Sequence, residues 1–284
     1  MRRRPRRRTR RTRWSHLHPK ALRRRLPSKR TRQRWWRTWR GLPAGLQWPL
    51  GLGAIVTLLL AVNGFYQVVR KPTELFFPIS GVLHKSPSET WRAYSTLFQR
   101  HATDVMTPDL LAALAQVEGA GNPVARTYWR WSFERNPFNV YQPASSSVGM
   151  YQISDGTFEQ ARSYCIHDHQ VIETGPWNDW HSCWFNALYT RVIPSHAIEL
   201  TAAYLDRSAE QALKRYPAPN ATLRDKQELA ALIHLCGAGA GRGHARRGLV
   251  LAPGKRCGTH DVRRYLAKVA TQQARFRALA AAAS

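Results

Sequence analysis

Thr107-Pro108-Asp109-Leu110-Leu111-Ala112-Ala113-Leu114-Ala115-Gln116-Val117-Glu118-Gly119-Ala120-Gly121-Asn122-Pro123 is the stretch on which the reading of this chain turns. Thr107 offers a hydroxyl N-cap, Pro108 stands where no amide donor is needed, and Asp109 faces the positive end of a helix. Leu110, Leu111, Leu114 and Val117 recur at helical spacing and define a face turned to a core. Glu118 lies on or beside that face, where a solvated charge is out of place. Gly119 and Gly121 supply backbone freedom for a helix end, which puts Glu118 in the last turn. Partial burial and the negative helix end both disfavour an ionised carboxylate there. A carboxyl held protonated near neutrality can act as a general acid.

Beyond the Gly121-Asn122-Pro123 turn the chain reaches Ser145-Ser146-Ser147-Val148-Gly149-Met150-Tyr151-Gln152-Ile153, then Asp155 and Thr157. Together with Glu118 this stretch resembles the lytic transglycosylases of the soluble-lytic-transglycosylase type, in the lysozyme superfamily. Glu118 matches the family's catalytic Glu. Gly149, Gln152, Ile153 and Thr157 match its Gly-Leu-Met-Gln-Ile segment and the Thr beyond, with Met150 and Tyr151 where Leu and Met are usual. The chain departs from the pattern in three places. Gly119 replaces the Ser that commonly follows the catalytic Glu. A longer connection carries Tyr128, Trp129, Trp131, Phe133, Phe138 and Tyr141. Leu235-Cys236-Gly237-Ala238-Gly239 only echoes the family's Ala-Tyr-Asn-Ala-Gly.

The resemblance implies a predominantly α, lysozyme-like α+β fold with minimal β structure. It implies cleavage of the β-1,4 bond between N-acetylmuramic acid and N-acetylglucosamine in peptidoglycan glycan strands, leaving 1,6-anhydro ends. Glu118 would be the acid and then the base. Ser147, Gly149, Met150, Tyr151, Gln152 and Tyr141 would bind substrate, and neither metal nor cofactor is implied. Two other readings use the same scaffold. A hydrolytic muramidase would need a second acid such as Asp155 or Glu199, whereas a degenerate site would leave a peptidoglycan-binding or assembly factor.

The N-terminal part has a different character. Residues 1–40 hold 19 of the 44 Lys and Arg and no Asp or Glu, which leaves 25 basic against 17 acidic residues elsewhere. No apolar period runs through this block, so residues 1–44 are expected to be a disordered, Arg-rich cytoplasmic tail. Its simplest use is orientation and attraction to anionic headgroups; Trp35, Trp36 and Trp39 could stack on bases, but nucleic acid is not the expected partner. From Leu50 to Phe65 the chain is nearly continuously apolar, broken by Asn63, and no charge lies between Arg40 and Arg70. Residues 45–69 are therefore expected to be a transmembrane signal anchor, with contact to the inner membrane over 46–69 and Trp48 and Tyr66 at the two interfaces. The basic excess places the N-terminus in the cytoplasm and everything after the span in the periplasm.

Residues 70–86 read as a linker or docking strand and 87–284 as the catalytic domain. Ser86-Pro87-Ser88-Glu89 starts its first helix, which carries Trp91, Tyr94, Leu97 and Phe98. Further helices are expected over 157–164, 195–213, 222–236 and 259–279, with a capping box from Thr222 and Asp225. Cys165, Cys183, Cys236 and Cys257 all follow the span, and an even count in an oxidising compartment implies two disulfides. Local closure favours Cys165–Cys183 and Cys236–Cys257. Cys165, His167, His169, His181 and Cys183 could alternatively hold zinc, but oxidation is the expected outcome. His234 is read as a structural histidine, and Trp177, Trp180 and Trp184 as core aromatics. A partner in a cell-envelope machine remains open.

Overall fold

The computed structural model describes residues 29–132, 136–179 and 182–283. Residues 1–28 of the tail, Phe133, Trp180 and His181 lie outside them. The chain divides into two compact units, residues 1–59 and 60–284.

The first unit holds α1 (Lys29–Arg40) and most of α2 (Ala44–Arg70). The tail was expected to lack structure through residue 44, but residues 29–40 are helical. Lys, Arg and Gln are good helix formers, and Arg40 sits over the Trp36 ring at 5.2 Å. Helix α1 buries none of its residues. Helix α2 is long and apolar enough to cross a membrane and covers the expected span.

The second unit is mostly helical. It runs through a 3₁₀ turn (Pro72–Phe76), α3 (Phe77–Ser80), a second 3₁₀ turn (Gly81–Leu83), α4 (Pro87–Arg100) and α5 (Pro108–Gly119). Strands β1 (Trp129–Trp131) and β2 (Tyr141–Pro143) form an antiparallel hairpin, followed by α6 (Asp155–Ala161) and a second hairpin of β3 (Tyr164–His167) and β4 (Gln170–Glu173). Then come α7 (Pro194–Arg215), α8 (Leu223–Cys236), α9 (Ala238–Arg246), the short pair β5 (Arg256–Cys257) and β6 (His260–Asp261), and α10 (Val262–Ala281).

Helix α5 is the centre of this unit. Leu110, Leu111, Ala112, Ala113, Leu114 and Ala115 are all buried, so the helix is apolar all round and must be enclosed on every side. Helices α10 and α4 pack along it, while α7 packs on α8 and α9. Phe98, Met106, Ile198, Leu200, Leu229 and Phe276 fill the space between these helices. The local signals at the starts of α4 and α8 are realised in full. Ser86 with Glu89, and Thr222 with Asp225, form reciprocal capping boxes. Thr107 caps α5 without a side-chain bond of that kind, because its hydroxyl accepts from Gln227 Nε2 at 3.0 Å.

One expectation is corrected. The helix expected over 157–164 ends at Ala161, and Tyr164 opens a hairpin instead. Residues 70–86 belong to the second unit, which begins at Leu60. Glu74, with only 1% of its side chain exposed, pairs with Lys71 at 3.2 Å and Arg126 at 3.1 Å and accepts from Trp129 Nε1 at 2.8 Å. A buried carboxylate survives only with such partners, so the segment is fastened to the first hairpin. The cysteines pair as Cys165–Cys183 and Cys236–Cys257, with Cα separations of 5.3 and 5.5 Å.

Candidate active site

The end of α5 fixes the position of Glu118. After Gly119 the chain turns through Ala120 (φ 48°) and Gly121 (φ 63°), so the left-handed residues follow the helix rather than include Gly119. Gly119 is required for another reason. A Cβ there would lie 2.8 Å from Met150 Cα and 2.9 Å from the Met150 carbonyl oxygen. The helix end is therefore pressed against the backbone of the 149–152 turn, and a serine does not fit. The Ser usual in the resembled family would have no room at this position.

The Glu118 side chain is 19% exposed. Tyr265 of α10 donates its phenolic O–H to Oε1 at 2.6 Å. His234 of α8 brings Nε2 to 3.6 Å from the same oxygen, an ion-pair distance when the ring is protonated. Burial, and after it the charge of Glu118, holds the Tyr265 phenol well above its usual range. Tyr265 is therefore a donor at any pH the protein meets. With Oε1 engaged, Oε2 is the oxygen left to give or take a proton.

Glu118 opens into a pocket of about 540 Å³. Val117 and Leu235 line it together with Arg256, Thr259, His260, Asp261, Arg264, Tyr265 and Lys268. One wall is thus the β5–β6 pair and the first turns of α10, and the Cys236–Cys257 bond ties that pair to the end of α8. Asp261 caps α10 by accepting from Arg264 N at 2.8 Å.

None of the six residues expected to bind substrate lines this pocket. Met150 and Tyr151 are fully buried, and the Tyr151 hydroxyl donates to the Leu111 carbonyl at 3.1 Å. Their side chains belong to the core beneath α5, which corrects their assignment as groove residues. Gly149 has φ 83° and donates to the Ala125 carbonyl at 2.8 Å. Gln152 spends its amide on the Ala125 and Gly149 carbonyls, at 3.1 and 3.0 Å. Gly149 and Gln152 therefore build a closed turn against which α5 ends. Ser147 gives its carbonyl to Lys71 Nζ at 3.0 Å, and Tyr141 packs against Trp129 and Trp131 with ring centroids at 5.2 and 4.7 Å.

The two acids considered for water activation are engaged elsewhere. Asp155 pairs with Arg191 at 2.8 Å. Glu199 is buried and accepts from Ile166 N at 3.1 Å and Tyr189 O–H at 2.8 Å.

Sequence reasoning missed Tyr265. A signal for it existed: Tyr265, Val269 and Phe276 share the buried stripe of α10, and a buried tyrosine needs a partner for its hydroxyl. The partner was not legible, because it lies 147 residues away. No family model, curated protein or solved structure matches the chain.

Proposed function

We propose that the chain is a membrane-anchored lytic transglycosylase of lysozyme-like fold, with its N-terminus cytoplasmic and its second unit in the periplasm. The observation that carries the reading is the carboxylate of Glu118, which ends a buried helix, is held through one oxygen by Tyr265, and opens into a pocket. The motif around Glu118, Gly149 and Gln152 supplies the substrate class. Arg256, Arg264 and Lys268 suit a glycan whose stem peptides carry carboxylates.

In this mechanism protonated Glu118 donates from Oε2 to the glycosidic oxygen as the bond from muramyl C1 breaks. The same carboxylate, now ionised, takes the proton of the muramyl C6 hydroxyl. The C6 oxygen bonds to C1 and closes the 1,6-anhydro ring, so no water is consumed and the proton balance is restored. Tyr265 keeps Glu118 in one orientation through both transfers. One acid/base group suffices, whereas most glycosidases use two carboxylates.

A hydrolytic muramidase has one observation in its favour: Asp261 lines the same pocket as Glu118, although its carboxylate caps α10. Mass spectrometry of the products that the full chain in detergent releases from purified sacculi separates the readings. Anhydro-muropeptides that vanish in Glu118→Gln are the expected result. Reducing-end products would replace the transglycosylase with a hydrolase, and sacculus binding without products would leave a scaffold.

A further inference from the structure

Helix α2 carries an amide pair that the membrane-spanning reading does not use. Asn63 and Gln67 lie one turn apart on the helix, and both are buried. Asn63 Nδ2 donates to the Phe138 carbonyl at 2.5 Å, and Gln67 Nε2 donates to the same oxygen at 2.7 Å. Tyr66, between them, brings its ring centroid to 5.0 Å from that of Phe138. Phe138 sits in the short turn between β1 and β2. The Pro137–Asn139 turn that leads into β2 is thus clamped to the helix by two hydrogen bonds and a ring contact.

The level of that clamp follows from the helix. Trp48 and Tyr66 are separated by about 27 Å of α-helix, close to the hydrocarbon thickness of about 30 Å. Tyr66 therefore marks the interface on the side of the second unit, and Phe138 lies within one ring contact of it. Gln67 is one residue beyond Tyr66 and Asn63 two residues short of Phe65, so the amides straddle the boundary. An amide there has little water to bond, and the Phe138 carbonyl satisfies both. The side chains around the clamp have the chemistry of that layer. Trp131 is 56% exposed and Phe138 44%, and Trp131 packs on Tyr141. Indole and phenyl groups left open in a soluble domain call for a cover.

We infer that the β1–β2 hairpin is seated in the headgroup layer of the bilayer that α2 crosses, with Trp131 and Phe138 as its lipid contacts and Asn63 and Gln67 setting its depth. The occupant is the bilayer because the hairpin is joined through Asn63, Tyr66 and Gln67 to a helix long and apolar enough to cross one. The inference rests on the membrane-spanning reading of α2. Asn63 and Gln67 are then clamp residues, and the polar break they make in the apolar run is explained.

Photoactivatable phospholipid in vesicles containing the full chain, with labelled peptides mapped by mass spectrometry, tests this. Label is expected on α2 between 50 and 62 and also on Trp131 and Phe138, while the exposed Trp177 and Val250 stay unlabelled. In Asn63→Leu with Gln67→Leu, hairpin label is lost and helix label is kept. Label confined to the helix in the unmodified chain would overturn the seating and leave the span intact. No label on the helix either would remove the membrane-spanning reading itself. Equal label on Trp177 and Val250 would mean that lipid adsorbs on apolar side chains generally, which also overturns the proposal.

Discussion

The phenol of Tyr265 and the carboxylate of Glu118 meet at 2.6 Å, joining the first turns of the last helix to the end of the central one. Because Tyr265 stays protonated, this bond orients Glu118 in either charge state. Tyr265→Phe keeps the ring in the core and removes only the donor. A hydrogen bond to a charged group is worth about 1.5–3 kcal/mol, so turnover on sacculi should fall by roughly ten- to a hundredfold. Sacculus pelleting should be unchanged; a variant as active as the parent would remove Tyr265 from the site.

Gly119→Ser restores the residue usual in the resembled family. The new Cβ would meet the backbone at Met150, which is not a flexible side chain that can step aside. Overpacking of this kind costs about 1–3 kcal/mol. Thermal unfolding should show the loss, and activity should fall rather than rise. A stable, more active serine variant would mean that the turn moves freely away from α5.

The Cys236–Cys257 bond closes a loop with a sequence separation of 21; that loop delivers Arg256 to the pocket, and Thr259 and His260 follow directly after it. Loop-closure entropy puts its contribution at roughly 3 kcal/mol. The double serine variant should unfold at a lower temperature and release muropeptides more slowly. The equivalent change at Cys165 and Cys183 should lower stability with less effect on turnover, since none of the residues lining the pocket lies in or next to the loop that bond closes.

Burial lowers the proton affinity of His101 and His244 below the ordinary histidine range, at His101 against the pull of Glu199. Both rings bind protons more readily in the unfolded chain. Their contribution to stability is therefore full above the unfolded value of about 6.5 and is lost as pH falls below it. The melting temperature should drop between about pH 7.5 and 5.5, and His101→Gln should flatten that slope. Asp206, whose carboxyl burial pushes up, works in the opposite sense at lower pH. A slope unchanged in the His101 variant would place the proton uptake elsewhere.

Legibility in the sequence followed the range of each interaction. Ser86 with Glu89 and Thr222 with Asp225 were readable because a capping box spans four residues, and α5 was readable because its apolar run is continuous. The β3–β4 hairpin was not. Its two-residue turn needs positive φ at both positions, supplied by Asp168 (φ 48°) and His169 (φ 63°) in place of the Asn-Gly pair that marks such turns. At the site, Glu118 could be picked out from its own helix. Gly149 and Gln152 had the right spacing for a defined element, but whether that element faces a groove or closes a turn depends on Ala125, which the spacing does not encode. Tyr265 and the 256–261 wall come from the far end of the chain, where no local pattern points back to α5.

Glu74 gives the short turns after α2 a consequence for where the proposed chemistry happens. Drawn out straight, residues 70–86 would be a tether of roughly 55 Å, enough to let a domain sweep through the space above a membrane. Folded around a carboxylate clasped by Lys71, Arg126 and Trp129, the same residues give almost no slack. Under the proposed function, this makes the chain a cutter of strands close to its own spanning helix rather than a roving editor of the finished wall.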